Sequence, residues 1–249
     1  MSGHSHWATI KHKKGAADAK RGRLWSKIAR MIIVAARAGG GDPSSNLTLR
    51  YSIDKAKAAN MPKDTIDKAI KRGTGDIDGA TFESIQYEGY GPSGVAIVVE
   101  TLTDNRNRTG PEIKRIFEKH GGSFGTPGCV SWMFHKKGLI TVQTSSIGED
   151  DLMELALGAG AEDMQNAGEV YEITCEPSAY EPLKKALEGK GIPIQSADIS
   201  KVPETTVLIA TPEAARKVIN LMEVIDDHDD VQNAYANFDI PEEVMAKVS

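Results

Sequence analysis

The chain has 249 residues, of which 40% are apolar, an ordinary composition that leaves room for one large domain or two to three small ones. The net charge is −5, yet residues 1–75 hold 16 Lys and Arg against 5 Asp and Glu, whereas residues 76–249 hold 14 against 30. The polar, basic beginning lacks the apolar segment of a secretory signal, and the longest apolar run, residues 31–36, is far too short to cross a bilayer, so we expect a cytoplasmic protein without membrane contact.

The uneven charge predicts the kind of partner. A basic part beside an acidic remainder is typical of a protein that contacts nucleic acid through the basic part. Chance segregation of solvated charged faces is the alternative.

Residues 1–17 show little apolar periodicity, so we expect an arm that is mobile or becomes ordered only on a partner. Trp7 lies shortly before the cations Lys11, Lys13 and Lys14. An aromatic ring beside a basic run suits stacking on a base while the cations meet phosphates. Trp7 packed back onto the helical domain is the alternative.

A helix is predicted from Asp18, a good N-cap, to about Ala38. One face is apolar at the spacing of a helix stripe: Leu24, Ile28, Met31, Ile32 and Ala35. A second face is cationic, and its length suits a row of phosphates better than isolated ion pairs. The cations of this segment are Lys20, Arg21, Arg23, Lys27, Arg30 and Arg37.

Two shorter helices are predicted to follow, from about residue 44 or 46 to Ala59 and from Pro62 to Gly73. Together the three form a helical bundle with a basic surface, and we place a first domain at residues 1–78.

The periodicity then changes to that of strands, over residues 82–90 and 95–102. Thr109 with Glu112 fits a capping box and predicts a helix to about His120. A glycine-rich turn, GGSFGTPG, leads into a predicted strand over residues 130–134.

From Gly138 the predicted order is βαββαβ, that of a ferredoxin-like domain. A short strand, a helix over 212–226 and a last strand over 231–240 lack a complete core of their own. They would complete the sheet begun at residue 82. We therefore predict an α+β fold with a discontinuous domain, 79–136 plus 204–249, and an inserted ferredoxin-like domain, 137–203.

Several motifs together resemble the YebC family over essentially the full length: GHSHWATIKHKKGAADAKRG, AGGGDPSSN, NMPKDTIDKAIKRGTG, YEGYGPSGVAI, TDNRNRT, GGSFGTPGCVSWMF and DDVQNAYANFDIP. Bacterial members are described as probable transcriptional regulators, and mitochondrial relatives are called translational activators. The resemblance implies three domains, a helical one followed by two of α+β type, with the third inserted into the second.

The segment from Asp104 to Thr109 joins a strand to a helix N-terminus. Backbone N–H groups and the guanidinium groups of Arg106 and Arg108 suit a phosphate there. Pairing of both arginines with acidic neighbours is the alternative.

Other motifs favour plain structural roles. The histidines of the arm lack a cysteine or carboxylate at a ligand spacing, so we expect no metal and no cofactor. Cys129 and Cys175 lie far apart and indicate reduced thiols. The glycine-rich turn lacks the lysine of a phosphate loop. The acidic run 226–230 indicates a solvated turn, and no catalytic motif points to an enzyme.

These observations predict a non-enzymatic regulator, foremost a DNA-binding transcriptional regulator acting through its basic N-terminal domain. The alternatives are a translation factor bound to the ribosome or its RNA, and a protein-interaction scaffold whose acidic α+β domains bind a protein. Phosphate contacts carry no sequence information and do not separate DNA from RNA.

Overall fold

A computed structural model describes the backbone of residues 18–248 and the side chains from residue 22 onward, that of Glu242 excepted. The helices are α1 (Asp18–Gly39), α2 (Leu47–Ala58), α3 (Lys63–Thr74), α4 (Arg106–Lys119), α5 (Glu149–Gly158), α6 (Tyr180–Gly189), α7 (Pro212–Asp226) and α8 (Glu242–Met245). The strands are β1 (Glu83–Tyr90), β2 (Ala96–Thr103), β3 (Ser123–Phe124), β4 (Phe134–Gln143), β5 (Ala161–Asn166), β6 (Val170–Cys175), β7 (Ile194–Pro203), β8 (Val207–Leu208), β9 (Val231–Ala236) and β10 (Phe238–Asp239).

The first three helices pack around a small aliphatic core. Ile28 and Ile32 of α1 are buried as predicted, whereas Leu24 is 43% exposed. Asn46 fixes the corner between α1 and α2, because its Oδ1 caps α2 at the Leu49 N–H, at 3.0 Å, and its Nδ2 donates to the Ala35 carbonyl at 2.8 Å. The helices thus leave charged faces outward.

The first sheet has the strand order β3-β1-β2-β9 and is antiparallel. Strand β9 pairs with β2, with Ile97 opposite Ala236, so the chain leaves this sheet after β3 and returns to it near its end. The core beneath it is formed by residues of β2, α4, α7 and β9, among them Ile97, Phe117, Leu221 and Val231.

The second sheet has the order β5-β6-β4-β7, and its strands are joined as βαββαβ through α5 and α6. This is the strand order of a ferredoxin-like domain. Its separate core includes Ile140, Leu152, Ile173 and Leu183. The mixed α+β fold, with a helical N-terminal region followed by sheet-containing domains, is therefore confirmed. The domain boundaries at residues 78, 136 and 203 stay a prediction.

Three local predictions were wrong. Residues 131–133 form a 3₁₀ turn, and the strand begins only at Phe134. Helix α4 begins at Arg106 because the side chain of Asn105 caps it, accepting from the Arg108 N–H at 3.2 Å. The last strand is interrupted at Asn237, whose Oδ1 accepts instead from the Ala96 N–H at 2.7 Å.

Within residues 18–248, no helix combines the length and the apolar character needed to cross a membrane.

Candidate nucleic-acid interface

A cleft of about 860 Å³ lies between α1, α4 and the loop that follows α7. We call residues 226–230, the last residue of α7 and the loop after it, the acidic loop. The cleft brings cations and carboxylates together. Its basic lining is Arg23, Arg30, Arg108, Arg115, Lys119 and His120, and its acidic lining is Asp104, Glu112, Asp227, Asp229 and Asp230.

The cationic face of α1 lies against the acidic loop. Arg23 pairs with Asp227 at 3.1 Å, between two side chains that are each about half exposed. Lys27 donates to the carbonyl of Asp226, and Arg30 donates to a carbonyl of the same loop. Three cations of the predicted stripe, Arg23, Lys27 and Arg30, are therefore engaged within the molecule.

Asp230 is the most buried member of the loop, only 1% exposed, so the prediction of a solvated acidic turn is wrong at this residue. Arg30 lies 3.1 Å from its Oδ1. Its Oδ2 accepts from Arg108 at 2.8 Å and from the Thr109 hydroxyl at 2.6 Å. Burial alone raises the pKa of Asp230, but the bonds from Thr109 and Arg108 and the charge of Arg30 outweigh it and lower the pKa.

The loop is also held by its own domain. The carbonyl of Asp230 accepts from the Leu102 N–H at 2.8 Å. The backbone N–H of Asp230 donates to Nδ1 of His228 at 3.1 Å. Because Nδ1 accepts, the ring proton sits on Nε2, which donates to Glu112 at 3.1 Å. The acidic loop is thus anchored to α4 and β2 independently of α1.

The two predicted arginines of the 104–109 segment differ. Arg108 pairs with Asp104 at 3.1 Å and with Asp230 at 2.8 Å, which is the pairing that the alternative predicted. Arg106 is exposed, and no ion pair joins it to the other side chains that the structure describes. A phosphate contact by either arginine stays a prediction.

Sequence reasoning missed Arg115, Lys119 and His120. The first two lie one turn apart on α4 and line the cleft opposite α1. Neither has a carboxylate within ion-pair distance among residues 22–241 and 243–248. The spacing of four residues between two cations was a readable signal, but it pointed to the cleft only once the helices were placed.

Helix α3 presents another basic surface, formed by the exposed Lys68, Lys71 and Arg72 near its C-terminal end. The sequences of α1, α2 and α3 contain neither Asn nor Gln. Side-chain amides are the usual readers of adenine in the major groove. These helices are therefore equipped for phosphate contact rather than for amide readout of bases.

Several predicted residues lie outside the described part of the chain: Trp7, Lys11, Lys13, Lys14 and the side chains of Lys20 and Arg21. Among the side chains that are described, no three of the His, Cys, Asp and Glu residues are grouped to hold a metal ion.

Comparison with known proteins places the chain in a family. Residues 5–76 match the family model described as the TACO1/YebC protein N-terminal domain, and residues 82–238 match that of the TACO1/YebC second and third domain. A protein of Desulfatibacillum aliphaticivorans, named "Probable transcriptional regulatory protein", is 52% identical over 99% of this chain and 100% of its own. One of the same name from Dictyoglomus thermophilum is 54% identical over the whole of both chains.

A solved structure agrees with these matches. The crystal structure of a conserved hypothetical protein from Aquifex aeolicus superposes with a TM-score of 0.85 at 49% identity, over 97% of this chain and 99% of that one. The resemblance that the motifs carried is confirmed: the chain belongs to the TACO1/YebC family.

Proposed function

We propose that the protein is a nucleic-acid-binding regulator that contacts its target mainly through phosphates, and that duplex DNA is the target. One observation carries the proposal. Arg115 and Lys119 of α4 face the cleft without carboxylate partners among the described side chains, opposite the cationic face of α1. The names of the relatives, probable transcriptional regulatory proteins, favour DNA and transcription.

The cleft also indicates which of the predicted cations are available. The pair of Arg23 with Asp227 is exposed, and such a pair contributes only about 0–1 kcal/mol. A phosphate can therefore replace Asp227 at little cost. Arg30 is mostly buried on Asp230, so its role is to join domains. We accordingly propose contacts by Arg23, Arg115, Lys119 and the basic arm.

The acidic loop adds negative charge at the edge of this surface. Asp227 and Asp229 are exposed at the edge of the cleft and repel phosphate. They limit nonspecific binding, because a backbone enters only where enough cations outweigh them.

RNA of the ribosome is a second candidate target, because the three N-terminal helices carry no amide side chains for reading base edges. Recognition through phosphates and shape suits a structured RNA as well as DNA. A translation factor would then be the better description.

The test is a salt titration of binding with the full chain, using promoter-containing duplex DNA and purified ribosomes at matched salt. Replacing Arg115 and Lys119 by Ala should flatten the slope of log affinity against log salt by about 1.4–1.8. Lys185→Ala with Lys190→Ala, two exposed cations on the inserted sheet domain, is the matched control and should leave the slope unchanged.

Each outcome of the salt titration tests a different part of the proposal. An unchanged slope in the Arg115 and Lys119 variant would remove the cleft from the proposal. Ribosome binding without DNA binding would replace transcription by translation. Binding to neither, down to micromolar affinity, would favour the protein-interaction scaffold.

A further inference from the structure

Trp132 is the most exposed large apolar side chain among those described, with 67% of its surface open to solvent. It lies in the 3₁₀ turn Ser131–Met133, directly before β4. Tyr90, at the end of β1, is 38% exposed. We call Tyr90 and Trp132 the aromatic pair.

The two rings are tied to one point of the backbone. The indole Nε1 of Trp132 donates to the carbonyl of Cys129 at 3.2 Å, and the hydroxyl of Tyr90 donates to the same carbonyl at 3.3 Å. The only N–H donor of the indole is therefore used within the molecule. What the aromatic pair offers a partner is ring surface.

A buried carboxylate holds the loop that presents the rings. Glu88 is only 3% exposed, and it accepts from the N–H groups of Gly128, Val130 and Ser131, each at 2.9 Å. Burial alone raises the pKa of Glu88, but these bonds and one from Gln86 outweigh it and lower the pKa to about 2. The carboxylate is therefore ionised throughout the physiological range.

The loop is also closely packed. The Gly125 N–H donates to the Glu88 carbonyl at 2.8 Å. A Cβ at Gly125 would lie 2.4 Å from the sulfur of Cys129 and 3.2 Å from the carbonyl oxygen of Glu88, so a side chain there would displace the Cys129 thiol. A loop fixed in this way loses little conformational entropy when a ligand binds to it.

We propose that Tyr90 and Trp132 form a stacking site for an unpaired nucleobase of a single-stranded nucleic acid. This inference rests on the nucleic-acid binding in the proposed function and adds unpaired bases to the duplex as a ligand. Stacking of bases on aromatic rings is worth about 1–3 kcal/mol per base and tolerates any sequence, because every base has a π-face. Bases inside a duplex are already stacked, so the site selects single-stranded segments or ends.

Because the N–H and O–H donors of the aromatic pair are already used within the protein, a base is a better ligand for it than a proline-rich peptide. An extended proline-rich backbone has no internal hydrogen bonds, so its carbonyls need donors when they are covered. The aromatic pair has none to give. A base needs only the ring face and keeps its polar edge in water.

Two basic residues can be placed relative to the aromatic pair. His120, which lines the cleft, is followed by Gly121 and Gly122, and a Cβ at Gly122 would lie 2.6 Å from the carbonyl of Tyr90. The end of the cleft lining therefore lies close to the backbone of Tyr90. Lys136, which follows Trp132 in the chain, is exposed and has no ion pair with another described side chain. A strand whose phosphate contacts Lys136 can thus bring a neighbouring base to the rings.

The test compares single-stranded and duplex binding by Trp132→Ala, with oligothymidylate and oligouridylate of about twelve nucleotides as the single strands, a length within the range of one binding module. We expect single-strand affinity to fall about 5- to 150-fold, with the salt slope unchanged because no phosphate contact is lost. Trp132→Phe keeps a ring and should recover part of the affinity. Leu208→Ala, which removes an apolar side chain that is 63% exposed elsewhere, is the control.

The outcomes separate the inference from the proposed function. If Trp132→Ala binds both single strands as tightly as the wild type does, and duplex binding persists, the stacking site alone is overturned. Equal losses on single strands and duplex would also overturn it, since they indicate a structural effect. A wild-type chain that binds no nucleic acid at all would overturn the proposed function, and the stacking site with it. Trp132-dependent binding of a proline-rich peptide without single-strand binding would assign the aromatic pair to a protein partner instead.

Discussion

Arg30 of α1 and Asp230 of the acidic loop form an ion pair at 3.1 Å that joins the N-terminal helices to the first sheet domain. The relationship is unequal. Asp230 keeps Arg108 and Thr109 as partners even without α1. Arg30 also donates to the Asp229 carbonyl of the same loop and lies over the ring of Phe82, 5.5 Å away. The acidic loop is therefore held in place by contacts other than those with α1, and α1 packs against it.

Asp230→Ala should destabilise the protein. The change leaves two guanidinium groups without their buried partner, and breaking a buried ion pair typically costs about 3–5 kcal/mol. Because Arg30 is 20% and Arg108 44% exposed, we expect the lower end of that range. Denaturant unfolding monitored by tryptophan fluorescence measures it. Asp227→Ala, which loses only the exposed pair with Arg23, should cost less than about 1 kcal/mol. Equal losses of stability in the two variants would contradict the difference between the buried pair and the exposed pair.

The stability of the protein should fall in acid in a way that depends on Glu88. Its pKa is about 2 in the folded protein, below its ordinary value, so its contribution is complete above about pH 4.5 and is lost as the pH falls toward 2. The stabilisation is of the order of 2–3 kcal/mol. Glu88→Gln should lower the stability at pH 7 and flatten its decline between about pH 5 and 2. A variant curve parallel to that of the wild type would refute this role of Glu88.

The elements of the fold were largely readable from local pattern. The stripe with Ile28 and Ile32 predicts α1, and the βαββαβ order predicts the inserted sheet, because apolar periodicity records which face of an element is buried. The errors concern side chains that serve distant partners. Thr109 fits a capping box, yet its hydroxyl bonds Asp230, and Asn105 caps the helix instead.

The candidate site was less readable. The cationic face of α1 and the acidic run were both visible, but no local rule pairs residues from opposite ends of a chain. Charge blocks of opposite sign indicate attraction without saying whether the partner is a phosphate or the protein's own carboxylate. Glu88 lies in an alternating strand, where a charged residue is expected to be exposed. Instead its carboxylate is buried and accepts from three N–H groups of a later loop.

Two glycines should respond oppositely to alanine. A Cβ at Gly73 of α3 would lie 2.6 Å from both the Cβ of Ala36 and the carbonyl oxygen of Ile33. Gly73→Ala should therefore push α3 from α1 and cost about 1–3 kcal/mol. Gly22, inside α1, has no atom of the described residues within 4 Å of such a Cβ, so Gly22→Ala should stabilise by about 0.5–1 kcal/mol through helix propensity. Thermal unfolding of both variants checks the signs, and a gain in stability for Gly73→Ala would show that the helices are not in close contact.

Neutralising the acidic loop should strengthen nucleic-acid binding. Asp227 and Asp229 are exposed at the cleft, and Asp227→Asn with Asp229→Asn removes two charges that repel phosphate and frees Arg23 from its pair. We expect affinity for duplex DNA to rise about 3- to 10-fold at low salt and the gain to shrink as salt screens the charges. Asp150→Asn with Asp151→Asn, on the exposed start of α5, removes the same net charge far along the chain from the cleft. Equal gains from the two double variants would mean that only net charge matters, whereas a gain confined to the loop variant identifies Asp227 and Asp229 as competitors of phosphate for the cations of α1.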